Sequence, residues 1–138
     1  MRQPNRIPPA DASILMRCRR LGELIDTARV NLAMARRLSQ ETHRALSEHG
    51  LSVHQERMQR LEERLAELEA EHAPLREQAA AASERIENVR LRRFCEVYCI
   101  DGAAMSDIPE LAGIHQRTAA RNRTLLRKES GAFEKGIL

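Results

Sequence analysis

The sequence predicts an all-α chain: a long coiled-coil helical hairpin followed by a small C-terminal tri-helical unit. Three observations carry that expectation. Aromatic residues make up 2% of the 138 residues, with no Trp, one Tyr and two Phe, which disfavours a β-sandwich or an aromatic-lined pocket. Ala, Leu, Arg and Glu dominate, the composition of long helices with a narrow apolar seam. Apolar residues also recur at alternating steps of four and three through most of the N-terminal two thirds, which is the coiled-coil period.

The first ten residues hold Pro4, Pro8 and Pro9, and residues 1–10 are expected to form a disordered or extended arm. Asp11 or Ser13 suits the cap of the helix that follows. Its seam runs through Ile14, Cys18, Leu21, Ile25, Ala28, Leu32, Ala35, Ser39, Thr42 and Leu46. Leu15, Leu24 and Leu38 widen the stripe enough for more than one partner, while Ser39 and Thr42 weaken its last third. His49-Gly50 reads as the end of this helix, and Ser52 followed by Gln55 as a capping box that starts another.

The second seam is Met58, Leu61, Leu65, Leu68, His72, Leu75, Ala79, Ala82, Ile86 and Val89. More than four heptads keep one register, a strong coiled-coil signal. His72 reads as a polar residue that fixes register, and Pro74 lacks the backbone donor of a helix interior, so a kink or short break is expected near 72–74. Residues 12–49 and 52–82 should therefore pair as an antiparallel hairpin, within a coiled-coil region spanning 11–82. A second copy is expected to cover the remaining apolar surface. The expected dimerisation residues are Ile14, Leu21, Ile25, Leu61, Leu65, Leu68 and Leu75.

From residue 83 the pattern changes, and 83–131 reads as a separate tri-helical unit. Leu91, Phe94, Val97, Tyr98 and Ile100 give a wider apolar face than a two-stranded seam needs, and Asp101-Gly102 stops that helix. A short helix at about 106–112, with Ser106 as its cap and Pro109 in its first turn, precedes a longer one at about 116–129 that Gly131 closes. Ile108, Leu111 and Ala112 can face inward, Gly113 supplies a positive φ, and Ile114 anchors the turn. Residues 132–138, with Phe133, Ile137 and Leu138, form a tail with no assigned role.

Two short helices joined by a tight Gly turn, the second basic on its outer face, form the pattern of a DNA-binding helix-turn-helix. From His115 to Lys128 there are five cations, Arg117, Arg121, Arg123, Arg127 and Lys128, and no acid. By helix geometry, together with the spacing of the family that this segment resembles (below), His115, Gln116, Arg117, Ala120, Arg121 and Thr124 would face the groove. Arg donates two bonds to guanine O6 and N7, and Gln pairs with the adenine edge. Arg123, Arg127 and Lys128 are placed to contact phosphates, which position the protein without specifying sequence.

Residues 90–128 resemble region four of bacterial sigma factors and the related LuxR-type output domains. The likeness rests on the spacing of Ile100-Asp101-Gly102, Ile108, Leu111, Gly113-Ile114 and Arg117-Thr118-Ala119. A helical hairpin before such a unit resembles small phage-encoded, sigma-like transcription regulators, the ArpU kind among them. The chain departs from the pattern at the caps of both small helices, which hold Ala104 and His115. It departs again at Pro109, where an inward Ala is usual, and at Asn122, often apolar. The resemblance implies double-stranded DNA as a partner, and RNA polymerase as a further one.

The remaining features limit the other classes. Residues 1–50 carry nine Arg against five acids, 51–90 six Arg against nine Glu, and 91–138 eight cations against six acids. That asymmetry suits a nucleic-acid-binding end attached to an acidic spacer. No apolar run approaches the ~20 residues that span a bilayer, and the N-terminus lacks the apolar segment of a signal peptide. Three cysteines do not build a disulfide framework, so a cytoplasmic location, in a bacterial or phage-infected cell, is expected. Cys95 and Cys99 lie four apart and read as buried structural thiols rather than metal ligands, and His43, His49 and His54 read as surface residues. No phosphate loop, nucleophile elbow or paired-His motif is present, so no enzyme activity, metal or cofactor is expected. The leading expectation is a dimeric, sequence-specific transcription regulator. A small-terminase-like DNA-packaging subunit and a coiled-coil adaptor that binds protein alone are the alternatives.

Overall fold

The computed structural model describes residues 6–42 and 48–135. Among the described residues every regular element is helical: α1 (Pro9–Thr42), α2 (Glu48–Glu84), α3 (Val89–Cys95), a π-helical turn (Glu96–Ile100), a 3₁₀ turn (Met105–Asp107), α4 (Ile108–Ala112) and α5 (Gln116–Glu134). The chain divides into two compact units. One comprises the described parts of Met1–Gly22 and His72–Leu138, the other Glu23–Glu71.

The first unit is built round Phe94, Leu15, Ile86, Leu91, Ile108 and Leu126, each at most 1% exposed. Phe94 stacks on Tyr98 with ring centroids 5.1 Å apart, an offset contact worth ~0.5–1.5 kcal/mol beyond its area. Arg19 lies over the Tyr98 ring, 3.7 Å from its centroid. Its Nη1 donates to the carbonyls of Tyr98 at 2.6 Å and Ala103 at 2.9 Å. Those acceptors lie just beyond α3, and helix ends leave carbonyls without intrahelical donors. Asp101 N–H reaches Glu96 O at 2.9 Å and Ala103 N–H reaches Val97 O at 3.1 Å, with Gly102 at φ +74° between them. This is a Schellman-type stop, and it turns the chain toward α4.

The second unit pairs the later part of α1 with the earlier part of α2. Arg29 meets Glu69 at 3.3 Å and Arg36 meets Glu62 at 3.4 Å. Residue numbers rise along one helix as they fall along the other, so the pairing is antiparallel. Each ion pair is exposed and worth only ~0–1 kcal/mol. Burial of Ile25, Leu32, Ala35 and Leu68, each 3–4% exposed, contributes more, at ~1.5–3 kcal/mol per large apolar side chain.

Several boundaries differ from those the sequence predicts. The arm expected at 1–10 contributes Ile7, 2% exposed, to the core, and α1 already starts at Pro9. Pro suits a first helical position because its missing N–H is not needed there. Asp11 and Ser13 are therefore inside the helix rather than capping it. Asp11 instead accepts two bonds from Arg85, Nη2 at 2.7 Å and Nε at 3.1 Å.

His49-Gly50 does not end a helix, and Ser52 with Gln55 does not start one, because α2 begins at Glu48. Gly50 lies in its first turn, where backbone N–H groups lack intrahelical acceptors whatever the residue. Residues 43–47 are not among those described, so Leu46 and His43 lie outside the described residues, as do Ile137 and Leu138. No break occurs at 72–74: α2 is continuous through Pro74. Pro74 and Ala70, whose carbonyl loses its donor, are both exposed, so water can take the missing bond. His54 is half-buried rather than plainly on the surface.

The second seam does not run on to Val89. Helix α2 stops at Glu84, and Asn88 caps α3 by accepting Leu91 N–H at 3.0 Å. Arg92 Nε donates to Ile86 O at 2.9 Å across this corner, leaving Val89 58% exposed. Ser106 is not a cap either; it lies within the 3₁₀ turn, and neither Ala104 nor Asp107 makes a side-chain cap bond. Leu111 is 52% exposed instead of packed inward, because Ile108 and Ala112 already fill that face. Gly131 does not close α5, which continues to Glu134 and is held by the Arg20–Glu134 pair at 3.4 Å. Phe133 thus belongs to α5 and not to a tail.

Candidate nucleic-acid interface

Helices α3, α4 and α5 each touch the other two. Pro109 lies in the first turn of α4, and Gly113 ends the helix with φ +67°, its N–H donating to Pro109 O at 3.1 Å. Ile114 is 7% exposed and anchors the turn in the core. His115 then takes extended backbone angles and caps α5, its Nδ1 accepting Arg117 N–H at 3.1 Å. An imidazole thus does the work that a Ser or Thr hydroxyl does at most N-caps.

The rest of α5 is divided by its period. Ala119, Asn122, Leu126 and Ser130 are buried, at steps of three and four. Arg117, Arg121, Thr124 and Lys128 are exposed and fall on the opposite side at roughly 100° per residue. Gln116 and Arg127, also exposed, flank this stripe, with half-buried Ala120 between them. Thr124 Oγ1 donates to Ala120 O at 3.0 Å. Arg123 is the one predicted cation turned toward the core side: it is half-buried, and its Nε is shielded without an acceptor.

Two features of this region escape the sequence pattern. Arg93 Nη2 donates to Leu111 O at 3.3 Å, at the end of α4, and Arg93 Nη1 approaches Glu96 at 3.5 Å. A cation from α3 is therefore brought beside the turn into α5. The cluster Arg90-Leu91-Arg92-Arg93 is the signal that could have indicated it. Asn122 is 3% exposed, and its Nδ2 has no hydrogen-bond partner. An unmade bond of this kind costs ~1–3 kcal/mol, so Asn122 is no aid to stability where it sits.

The predicted dimerisation residues are divided between the two units. Ile14 and Leu75 pack against the core of the first unit, where Leu21 is half-buried. Ile25 and Leu68 are buried within the second unit, and Leu61 and Leu65 half-buried. Most of that seam is used inside one chain.

The three thiols, Cys18, Cys95 and Cys99, are free and buried. Burial pushes Cys95 up to about 12, with a smaller push from Glu96, and holds Cys99 well above its ordinary value. Cys18 Sγ lies 3.7 Å from His72 Nε2, and burial raises this thiol too. Protonated, enclosed thiols are poor nucleophiles and poor ligands. Among the described residues no group of three or more His, Cys, Asp or Glu side chains could hold a metal ion. No described helix is long and apolar enough to cross a membrane. Comparison of the chain with protein-family models, curated proteins and solved structures found no match.

Proposed function

We propose that this protein is a sequence-specific DNA-binding transcription regulator, sigma-region-four-like and of the phage-encoded kind. In this reading α4 and α5 are its helix-turn-helix and α1 with α2 a coiled-coil hairpin through which it dimerises. The observation that supports it is the acid-free exposed stripe of α5, Arg117, Arg121, Thr124 and Lys128, which begins directly after the left-handed Gly113 turn and its His115 cap. Such a helix suits the major groove, where side chains near its N-terminus meet base edges. Gln116, Arg117 and Arg121 would read bases, and Arg127 and Lys128 would contact phosphates. The chain acts without a cofactor, in the cytoplasm, and its sigma-like unit is available to RNA polymerase.

Titration against random-sequence duplex at several salt concentrations, followed by selection from a random duplex library, tests this reading. The expected result is salt-dependent binding to any duplex, with tighter binding to a selected site. Absence of salt-dependent binding would remove DNA from the function and leave a protein-binding adaptor.

A further inference from the structure

Helix α1 carries a second apolar stripe that the second unit does not bury. Ile25, Leu32 and Ala35 face α2 and are at most 4% exposed. Roughly 160° around the helix lie Val30 and Met34, both 58% exposed, with Leu24 at 53% and Leu38 at 49% beside them. Beside the stripe Glu23 and Asp26 lie in its earlier half and Arg37 in its later half; Arg29, between them, pairs with Asp26 at 3.9 Å and Glu69 at 3.3 Å, and Arg36 pairs with Glu62.

We infer that a second copy of this chain occupies the stripe, α1 against α1 in antiparallel orientation about a two-fold axis near Asn31. The inference rests on the dimeric reading above and names its surface. A face that meets its own copy must be self-complementary, and the order of residues here is. Running the copies antiparallel sets Val30 of each against Met34 of the other, and Leu24 against Leu38 on the flank. Asn31 falls opposite its own copy, where a polar residue fixes register. Arg37 of each falls beside Thr27 and Asp26 of the other. That contact between opposite charges, which an in-register parallel pair would not make, favours the antiparallel arrangement.

Equilibrium sedimentation of the DNA-free, full-length chain tests this. The wild type is expected to be a dimer at micromolar concentration, and Met34→Glu a monomer with unchanged helical circular dichroism. Asp26→Arg is expected to weaken the dimer about tenfold, and adding Arg37→Asp to restore it, a rescue that a purely local defect would not show. Under oxidation Asn31→Cys is expected to cross-link two chains. Leu24→Cys is not, because antiparallel copies of Leu24 lie ~20 Å apart along the axis. A monomeric wild type, a dimer indifferent to Met34→Glu, or cross-linking through Leu24→Cys overturns the inference. Loss of DNA binding in a chain whose dimer still depends on Met34 overturns the DNA reading and supports this one.

Discussion

Arg121 and Arg127 are both exposed cations on α5, and under the proposed DNA-binding function their positions on the helix imply different work. Arg121 lies on the outward stripe, one turn after Arg117, and Arg127 lies on the flank. Replacing Arg121 with Ala is expected to weaken a selected site by ~1–3 kcal/mol and to relax base preference at one position. Replacing Arg127 with Ala should weaken all duplexes about equally and reduce the salt slope by ~1. Titrations of both variants at several salt concentrations separate the two roles; equal, sequence-independent losses would remove Arg121 from base readout. The buried thiols make a prediction about pH. Below pH 9 the Cys95 thiol holds its proton both folded and unfolded, and stability is fully present. Between 9.0, the ordinary value, and about 12, to which burial has raised it, only the unfolded chain releases that proton. Stability must therefore fall with rising pH across this window. Urea midpoints at pH 7.5 and 10 measure the fall, and a Cys95→Ala variant should show a smaller one.

At the scale of elements, the turn between α4 and α5 is held by one backbone conformation. Gly113 sits at φ +67°, and a Cβ built there would meet nothing within 4 Å. The cost of Gly113→Ala is therefore the local one of the left-handed backbone, ~1–2 kcal/mol, with no part from tertiary contacts. The variant should melt a few degrees lower and bind DNA more weakly, because the start of α5 depends on this turn; unchanged melting would mean the turn adapts. Gly113 was legible in the sequence because a left-handed helix stop leaves a residue-type signature. The two long helices and the division of α5 into buried and cationic faces were legible for a similar reason, since period follows from burial. What the sequence hid was set by tertiary contact. Gly50 looks like a terminator, and Pro74 like a breaker, only if each is weighed alone; in the fold both lie inside α2. The stop at Glu84 is enforced by Asp11–Arg85 and by Arg92 on Ile86 O, contacts across the sequence that no local pattern announces. Arg123 and Leu111 were misplaced because helix period gives a face to within a residue or so, and each lies at the edge of its face.

For the molecule as a whole, the proposed pairing through the α1 stripe and the proposed DNA binding together predict the form of the DNA site. Two chains joined by an isologous contact are related by a two-fold axis, whatever separation their two α5 helices have. A duplex read by both must repeat the same half-site in inverted orientation. Library selection with the wild-type chain is therefore expected to return inverted repeats at one fixed spacing. Met34→Glu, which leaves α5 untouched, should bind a single half-site and lose the preference for spacing. Its slope of log affinity against log salt should be about half the wild-type value, since that slope scales with the number of phosphates neutralised. A ring-forming assembly, as in a DNA-packaging subunit, would instead give higher mass and sites without a single two-fold repeat. Direct repeats, or a full salt slope on one half-site from a chain that remains dimeric, would break the connection between the stripe and DNA recognition.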